Sequence, residues 1–362
     1  MPSEVREITF AQAILEATDQ CMAKDPTVFV LGLGVDDPKA IFNTTKGLKE
    51  KYGSQRCFDV PVSENALTGA AIGAATLGMR PLLTHQRIDF ALLSLDQIIN
   101  SAAKWHYMFA GQLQCPIVIR MLIGRGWGQG PQHSQSLQAI FAHIPGLKVV
   151  MPATPHDAKG ILVSSIEDNG PVIYLEHRWL HNMKGPVPDE IFREPIGRAR
   201  IVKPGKDATI VAISYMVFEA FRAAECLMKN GVDVEVIDLR TVKPYDQDSV
   251  LASVKKTGRL LVADTGHGAF GIGAEIVAST TERLFASLKS PPVRVSSPDY
   301  PVPTSHALAA HYYPRAHDLA SQTLKMIGFD DFSKRDRIIE ELKELQSHIP
   351  SDVPDLRFTG PF

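Results

Sequence analysis

The residues best placed to do chemistry lie between Asp59 and Gln135. The stretch Asp59-Val-Pro-Val-Ser-Glu64 reads as a strand end followed by Ser63 as a helix cap, which sets Glu64 in the first helical turn. A carboxyl there can act as a general acid or base, and it can equally be an acid that the helix dipole favours. Further on, the segment THQRIDF places Thr84, His85, Gln86, Arg87 and Asp89 beside Phe90. Such a run lines either a polar pocket or a subunit surface. The glycine-rich run GRGWGQGPQ precedes His133 and suits a mobile active-site wall better than a core element. Late in the chain Gly266, Gly268 and Gly271 spell GHGAFG, the letter pattern of a dinucleotide-binding turn. The strand expected after it, near Val293–Ser297, ends without the acid that would hold a ribose. These glycines are therefore read as a tight turn that packs a helix closely on a sheet.

The elements that must hold these residues follow an α/β pattern, with short apolar runs alternating with helix-length segments. Strands are expected at Thr27–Leu33, Arg56–Val60, Pro116–Leu122, Leu147–Met151 and Val172–Glu176, with helices near Thr9–Ala23, Glu64–Met79, Ser94–Met108 and His156–Glu167. After a break comes a second series. Its strands are Ala208–Ile213, Asp233–Asp238, Arg259–Asp264 and Pro292–Ser297, and its helices lie near Val217–Lys229, Gln247–Lys255 and Gly273–Phe285. The expectation is two doubly wound domains at 1–185 and 206–330, joined by a surface linker at 186–205. An amphipathic helix and tail occupy 331–362, with Ile338, Ile339, Leu342 and Leu345 as one apolar stripe.

Composition narrows the class. With 38 Lys+Arg against 40 Asp+Glu the formal charge is -2, so no basic excess exists to neutralise nucleic-acid phosphates. Cys21, Cys57, Cys115 and Cys226 are scattered, without CxxC or zinc-ligand spacing, which argues against a disulfide framework. The beginning MPSEVREITF has no apolar signal region, and no window of about 18 apolar residues occurs. A cytoplasmic protein, bound to neither nucleic acid nor membrane, is expected.

Several long segments carry a resemblance. DVPVSENALTGAAIGAATLGMRP, LSLDQIINSAAKWHYMFAG, CPIVIR, GPQHSQSLQAIFAHIPGLKVVMPATPHDAKGILVSSIEDNGPVIYLE, VEVIDLRTVKPYD and FGIGAEI resemble the beta subunits of thiamine diphosphate-dependent 2-oxo acid dehydrogenases of the pyruvate and branched-chain type. The transketolase-like superfamily contains them. The likeness runs in order over roughly residues 6 to 328. It implies a pyrimidine-binding domain followed by a C-terminal transketolase-like domain. An alpha subunit would bind the diphosphate and Mg²⁺ through a GDG motif, and no GDG occurs here.

The resemblance also implies roles. Glu64 matches the glutamate that contacts the aminopyrimidine nitrogen and favours the imino tautomer, whose exocyclic nitrogen takes the thiazolium proton. Phe90 matches the aromatic residue packed on that ring, and Gln86 a cofactor contact. His133 matches the catalytic histidine facing the reacting carbonyl or acyl group. His85 and Arg87 are candidate substrate contacts. A potassium ion held by backbone oxygens would fall near Ile117, Ser165, Ile166, Asp168 and Gly170. Two departures stand out: the acidic pair usual after the first strand's glycine is here Leu33–Gly34, and a largely apolar family segment is here THQRIDF. The implied assembly has two alpha and two beta chains, with a lipoyl acyltransferase as the acceptor's carrier. A transketolase-like transferase or lyase acting on an aldehyde or sugar is the main rival, and a non-catalytic scaffold subunit the other.

Overall fold

A computed structural model describes residues 6–124, 128–348, 350 and 353. The chain divides into two compact units, Met1–Ile123 with Ile140–Ile196, and Gly124–Ala139 with Gly197–Phe362.

In the first unit β1 (Arg6–Thr9) leads into α1 (Phe10–Lys24), where Thr9 and Gln12 form a reciprocal capping box. The strands β2 (Val28–Gly32), β3 (Cys57–Phe58), β4 (Arg80–His85), β5 (Val118–Ile123), β6 (Lys148–Val150) and β7 (Val172–His177) follow. Their spatial order is β6-β7-β5-β4-β2-β3, and every neighbouring pair is parallel. Parallel strands covered on both faces need apolar residues at successive positions, and every residue of β2, β5 and β7 is buried. Two helices frame this sheet, α2 (Glu64–Thr76) and α3 (Pro155–Glu167). Thr154 caps α3 and Pro155 opens it, the position where a missing N–H costs no helical bond.

Sequence periodicity did not reveal β4, because only Leu82 and Leu83 are aliphatic between Arg80 and the polar Thr84 and His85. The strand nonetheless lies between β2 and β5 in the middle of the sheet. The expected Ser63 cap is also corrected: Ser63 occupies the N-cap position of α2, but its side chain makes no capping bond. The segment expected as a linker is strand at both ends. Thus β8 (Lys184–Val187) pairs antiparallel with β1, and β9 (Arg200–Lys203) joins the second unit's sheet. Residues 124–139, expected within the first domain, group with the second unit.

That second unit contains β10 (Ala208–Ala212), α4 (Met216–Lys229), β11 (Val234–Asp238), the short β12 (Thr241–Lys243), α5 (Gln247–Thr257), β13 (Leu260–His267), α6 (Ile272–Leu284) and β14 (Val293–Ser297). One sheet runs in the order β14-β13-β10-β11-β9, parallel except for β9 against β11. The GHGAFG glycines form the close turn between β13 and α6. A Cβ on Gly271 would fall 2.1 Å from the His267 carbonyl oxygen, so only glycine fits there.

Two terminal helices, α7 (Ala316–Met326) and α8 (Phe332–Gln346), complete this unit. They meet α4 at a buried carboxylate, Glu219. It accepts bonds from Arg315 Nη1 at 3.0 Å, the Ala316 amide at 2.9 Å and Gln346 Nε2 at 3.1 Å. Burial opposes its ionisation, yet Arg315 and Arg222 hold the carboxyl below its usual range. The expected stripe on α8 is narrower than the spacing suggested: Ile338 and Leu342 are buried, whereas Leu345 is 52 % exposed. The helix therefore docks on its own unit. All four cysteines are free and buried, and burial pushes the Cys21 and Cys115 thiols up to about 12. No helix among the described residues is long and apolar enough to cross a membrane.

Docking of α8 gives a stability prediction for the full chain. Leu342→Ala should cost about 2–5 kcal/mol by loss of transfer energy and cavity formation, and Leu345→Ala within about 0.5 kcal/mol. Denaturant unfolding of both variants checks the contrast.

Candidate active site

A cavity opens beyond the carboxyl ends of β2 and β4, against the first turn of α2. Ligands in parallel α/β sheets bind at this end of the strands. Val60, Pro61, Leu67, Leu83 and Phe90 form apolar walls, and Glu64, Thr84, His85 and Gln86 bring polar atoms to the same space.

Strand contact decides the geometry. Gly32 has φ +152, and a Cβ there would stand 2.3 Å from the Thr84 carbonyl oxygen, so the ends of β2 and β4 approach without side chains between them. Just beyond, Gln86 Nε2 donates to the Leu33 carbonyl at 3.1 Å. Asp59 Oδ1 accepts the amides of Gly34 at 2.7 Å and Val60 at 2.8 Å, which holds both loops at the cavity. Gly34 has φ +79, a conformation that favours glycine, and its Cα faces Gln86, whose Nε2 would lie 2.6 Å from a Cβ there.

Among the described residues no group hydrogen-bonds the half-buried Glu64 carboxylate, which lines the cavity. Thr84 Oγ1 and His85 Nε2 are buried and likewise without a hydrogen-bond partner. Buried polar atoms are rarely left so, since each unmet bond costs about 1–3 kcal/mol. Burial pushes the His85 imidazole down to about 4, so it is neutral at pH 7. A flat ring with polar atoms on its edge, such as the aminopyrimidine of thiamine diphosphate, fits apolar walls and unmet polar groups of this kind.

The structure therefore brings Glu64, His85, Gln86 and Phe90 to one cavity. Arg87 is not among its lining residues and instead stands over the Phe42 ring at 5.9 Å. His133 belongs to the second unit, half-buried in a turn where its amide faces the Gly130 carbonyl at 3.4 Å. Residues 125–127 of the expected glycine-rich wall lie outside the described residues. Sequence reading missed Asp59 as a loop anchor, although the motif Asp59-Val-Pro at a strand end was visible.

Two of the carbonyls expected to hold potassium accept from Arg80. Arg80 Nη1 donates to the carbonyls of Ile166 and Asp168, each at 2.9 Å, and its Nη2 to Asn169 Oδ1 at 2.8 Å. The Ile117 carbonyl accepts the Val172 amide in the sheet, Ser165 Oγ bonds Ile161, and the Gly170 amide bonds Asp168 Oδ1. Of the carbonyls expected near a potassium ion, those of Ile166 and Asp168 thus face a guanidinium and that of Ile117 is used in the sheet.

Comparison with known proteins agrees with the fold. The family model "Transketolase, pyrimidine binding domain" matches residues 6–183, and "Transketolase, C-terminal domain" matches residues 197–319. The chain is 44% identical over 330 residues to the beta subunit of acetoin:2,6-dichlorophenolindophenol oxidoreductase from Cupriavidus necator, covering 88% of this chain and 97% of that one. It is 42% identical over 318 residues to a mitochondrial pyruvate dehydrogenase E1 component subunit beta-1 from Oryza sativa subsp. japonica, covering 87% and 85%. A solved structure titled as a split-gene transketolase, inactive beta4 tetramer, superposes with a TM-score of 0.72 at 25% identity, covering 89% of this chain and 99% of that chain. On these grounds the chain belongs to the family of thiamine diphosphate-dependent 2-oxo acid dehydrogenase beta subunits, within the transketolase-like superfamily.

Proposed function

We propose that this chain works with an alpha subunit to decarboxylate a 2-oxo acid and pass the acyl unit onward, as one half of a thiamine diphosphate enzyme. The observation that carries the reading is the Glu64 carboxylate, which no group among the described residues hydrogen-bonds, in a cavity walled by Phe90. When bound, thiamine diphosphate supplies a carbon nucleophile for the substrate carbonyl. Glu64 would hold a proton between its carboxylate and the pyrimidine nitrogen, which sets the ring's tautomer. Phe90 would fix the plane of that ring, and Val60, Pro61, Leu67 and Leu83 would exclude water around it. Gln86, fixed on Leu33, and neutral His85 would meet polar atoms at the ring edge or on the substrate. His133 would exchange a proton with the reacting group. Mg²⁺ and the diphosphate would be held by the alpha chain's GDG motif.

Two alpha and two beta chains, located in the cytoplasm, are the assembly proposed, with a lipoyl group on an acyltransferase as acceptor. A second reading follows from a specific observation. Acetoin oxidoreductase beta subunits from Cupriavidus necator and Bacillus subtilis are 44% and 38% identical to this chain. A neutral hydroxyketone would then be cleaved at the same cavity, an aldehyde leaving and the remaining two-carbon unit giving two electrons to the acceptor as it passes on at the acyl level.

Three measurements test these statements. In the assembled enzyme, Glu64→Gln should abolish proton exchange at the thiazolium carbon while assembly persists, because the amide keeps the shape and loses the acid. Exchange at the wild-type rate removes Glu64 from the chemistry. His133→Ala should lower turnover by about 10²-fold or more, with cofactor affinity little changed. Initial rates with pyruvate and with acetoin, read by dye reduction, separate the two substrate readings: turnover of acetoin alone selects cleavage over decarboxylation.

A further inference from the structure

The GHGAFG turn and the segment that carries His133 meet within the second unit. Near the carboxyl end of β13 Asp264 is buried, and its Oδ1 accepts the Gly266 amide at 3.2 Å and Gln138 Nε2 at 2.6 Å. Gln138 is buried as well, and its side chain must turn nitrogen to this carboxyl, because the amide oxygen has no proton to give. Burial raises the pKa of Asp264, and the Gly266 and Gln138 donors oppose that shift. The Gln138 amide also lies over Gly266: a Cβ there would come within 2.7 Å of Nε2 and push the glutamine from its place. The anchor itself is held from the next strand. Ser297 Oγ in β14 donates to the Thr265 carbonyl at 3.0 Å, and His267 Nδ1 lies 2.9 Å from the Pro298 carbonyl.

At the other end of the segment Gly130 has φ +69, a conformation that favours glycine, and a Cβ there would stand 2.4 Å from Thr304 Oγ1. The backbone at 130 thus lies against Thr304. Residues 131–137 form turns and extended chain without helix or strand. Inside this stretch Ser134 is buried, and the Gln135 carbonyl accepts the Gly124 amide at 3.3 Å. With no ladder of its own, such a stretch takes its path from what fixes its ends. His133 lies between the two attachments.

We propose that Gln138, fixed on Asp264, is a positioning residue for His133, holding one end of the segment so that the imidazole faces the reacting group. The inference rests on the reading of His133 as the residue that exchanges a proton with that group. A bond to a carboxyl buried away from water meets no competition from solvent, so it is a firmer attachment than an exposed polar contact. The glycine at 266 then serves to admit this glutamine, a use of the GHGAFG pattern that involves no dinucleotide.

The test uses the assembled, thiamine diphosphate-loaded enzyme. Gln138→Met keeps the length of the side chain and removes the donor. It should lower turnover of pyruvate or acetoin, read by dye reduction, about tenfold or more, since small misplacements of a reacting group are costly. Proton exchange at the thiazolium carbon, assigned to Glu64, should stay within about twofold of the wild type. Hydrogen–deuterium exchange of the amides in residues 132–138 should run about tenfold faster in the variant. In enzyme already carrying His133→Ala, Gln138→Met should cost less than about twofold further, because its effect runs through the imidazole. Gln138→Ala carries the same measurements should the methionine variant fail to assemble. Unchanged turnover or unchanged amide exchange in the Gln138 variant, where His133→Ala loses turnover, overturns this inference alone. So does a parallel fall in thiazolium proton exchange, or a full loss added on top of His133→Ala, either of which makes Gln138 a general support of the fold. Unchanged turnover in His133→Ala overturns the reading of His133 and this inference with it.

Discussion

The approach of β2 to β4 at Gly32 is the constraint on which the rest of the candidate site depends. No side chain fits between Gly32 and the Thr84 carbonyl, so the two strands leave the sheet together and their following turns face each other. From that contact follow the Gln86 bond to Leu33, the position of His85 and Phe90, and the opening into which the first turn of α2 places Glu64. A larger residue at 32 would force the strands apart and move the cavity's polar and apolar walls together. The chemistry of the carboxylate thus rests on a backbone contact more than on any side-chain interaction.

The two segments in which the sequence departs from the pattern expected from the resemblance, Leu33–Gly34 and THQRIDF, meet in the structure. In three dimensions Gln86 from the second segment reaches the carbonyl of the first, within the space that a side chain at 34 would take. His85, kept neutral by burial, adds a polar atom without adding a charge.

Legibility in the sequence followed the strength of the physical signal. Strands buried on both faces, such as VFVLG and VIRMLI, and the long capped helices were visible as apolar runs and periodic segments. The strand β4 was not, because it ends on the polar Thr84 and His85, and that end lines the cavity. Glu64, Gln86, Phe90 and His85 could be named from motif and resemblance. The separate surroundings of Arg87 could not, since alternation along a strand end and a following turn does not fix which cluster a side chain joins. Nor could the Arg80 bonds to Ile166 and Asp168, because carbonyl acceptors leave no trace in residue type.

The central claim is that the Glu64 carboxylate meets the pyrimidine ring of thiamine diphosphate inside the apolar cavity. A crystal structure of the assembled alpha–beta enzyme with the cofactor bound measures this directly. The account predicts a Glu64 carboxylate oxygen within hydrogen-bond distance, about 2.5–3.0 Å, of a pyrimidine ring nitrogen, with Phe90 against the ring face. A pyrimidine ring seated elsewhere, or a Glu64 carboxylate bonded to a protein group of the partner chain with the ring out of reach, would contradict it.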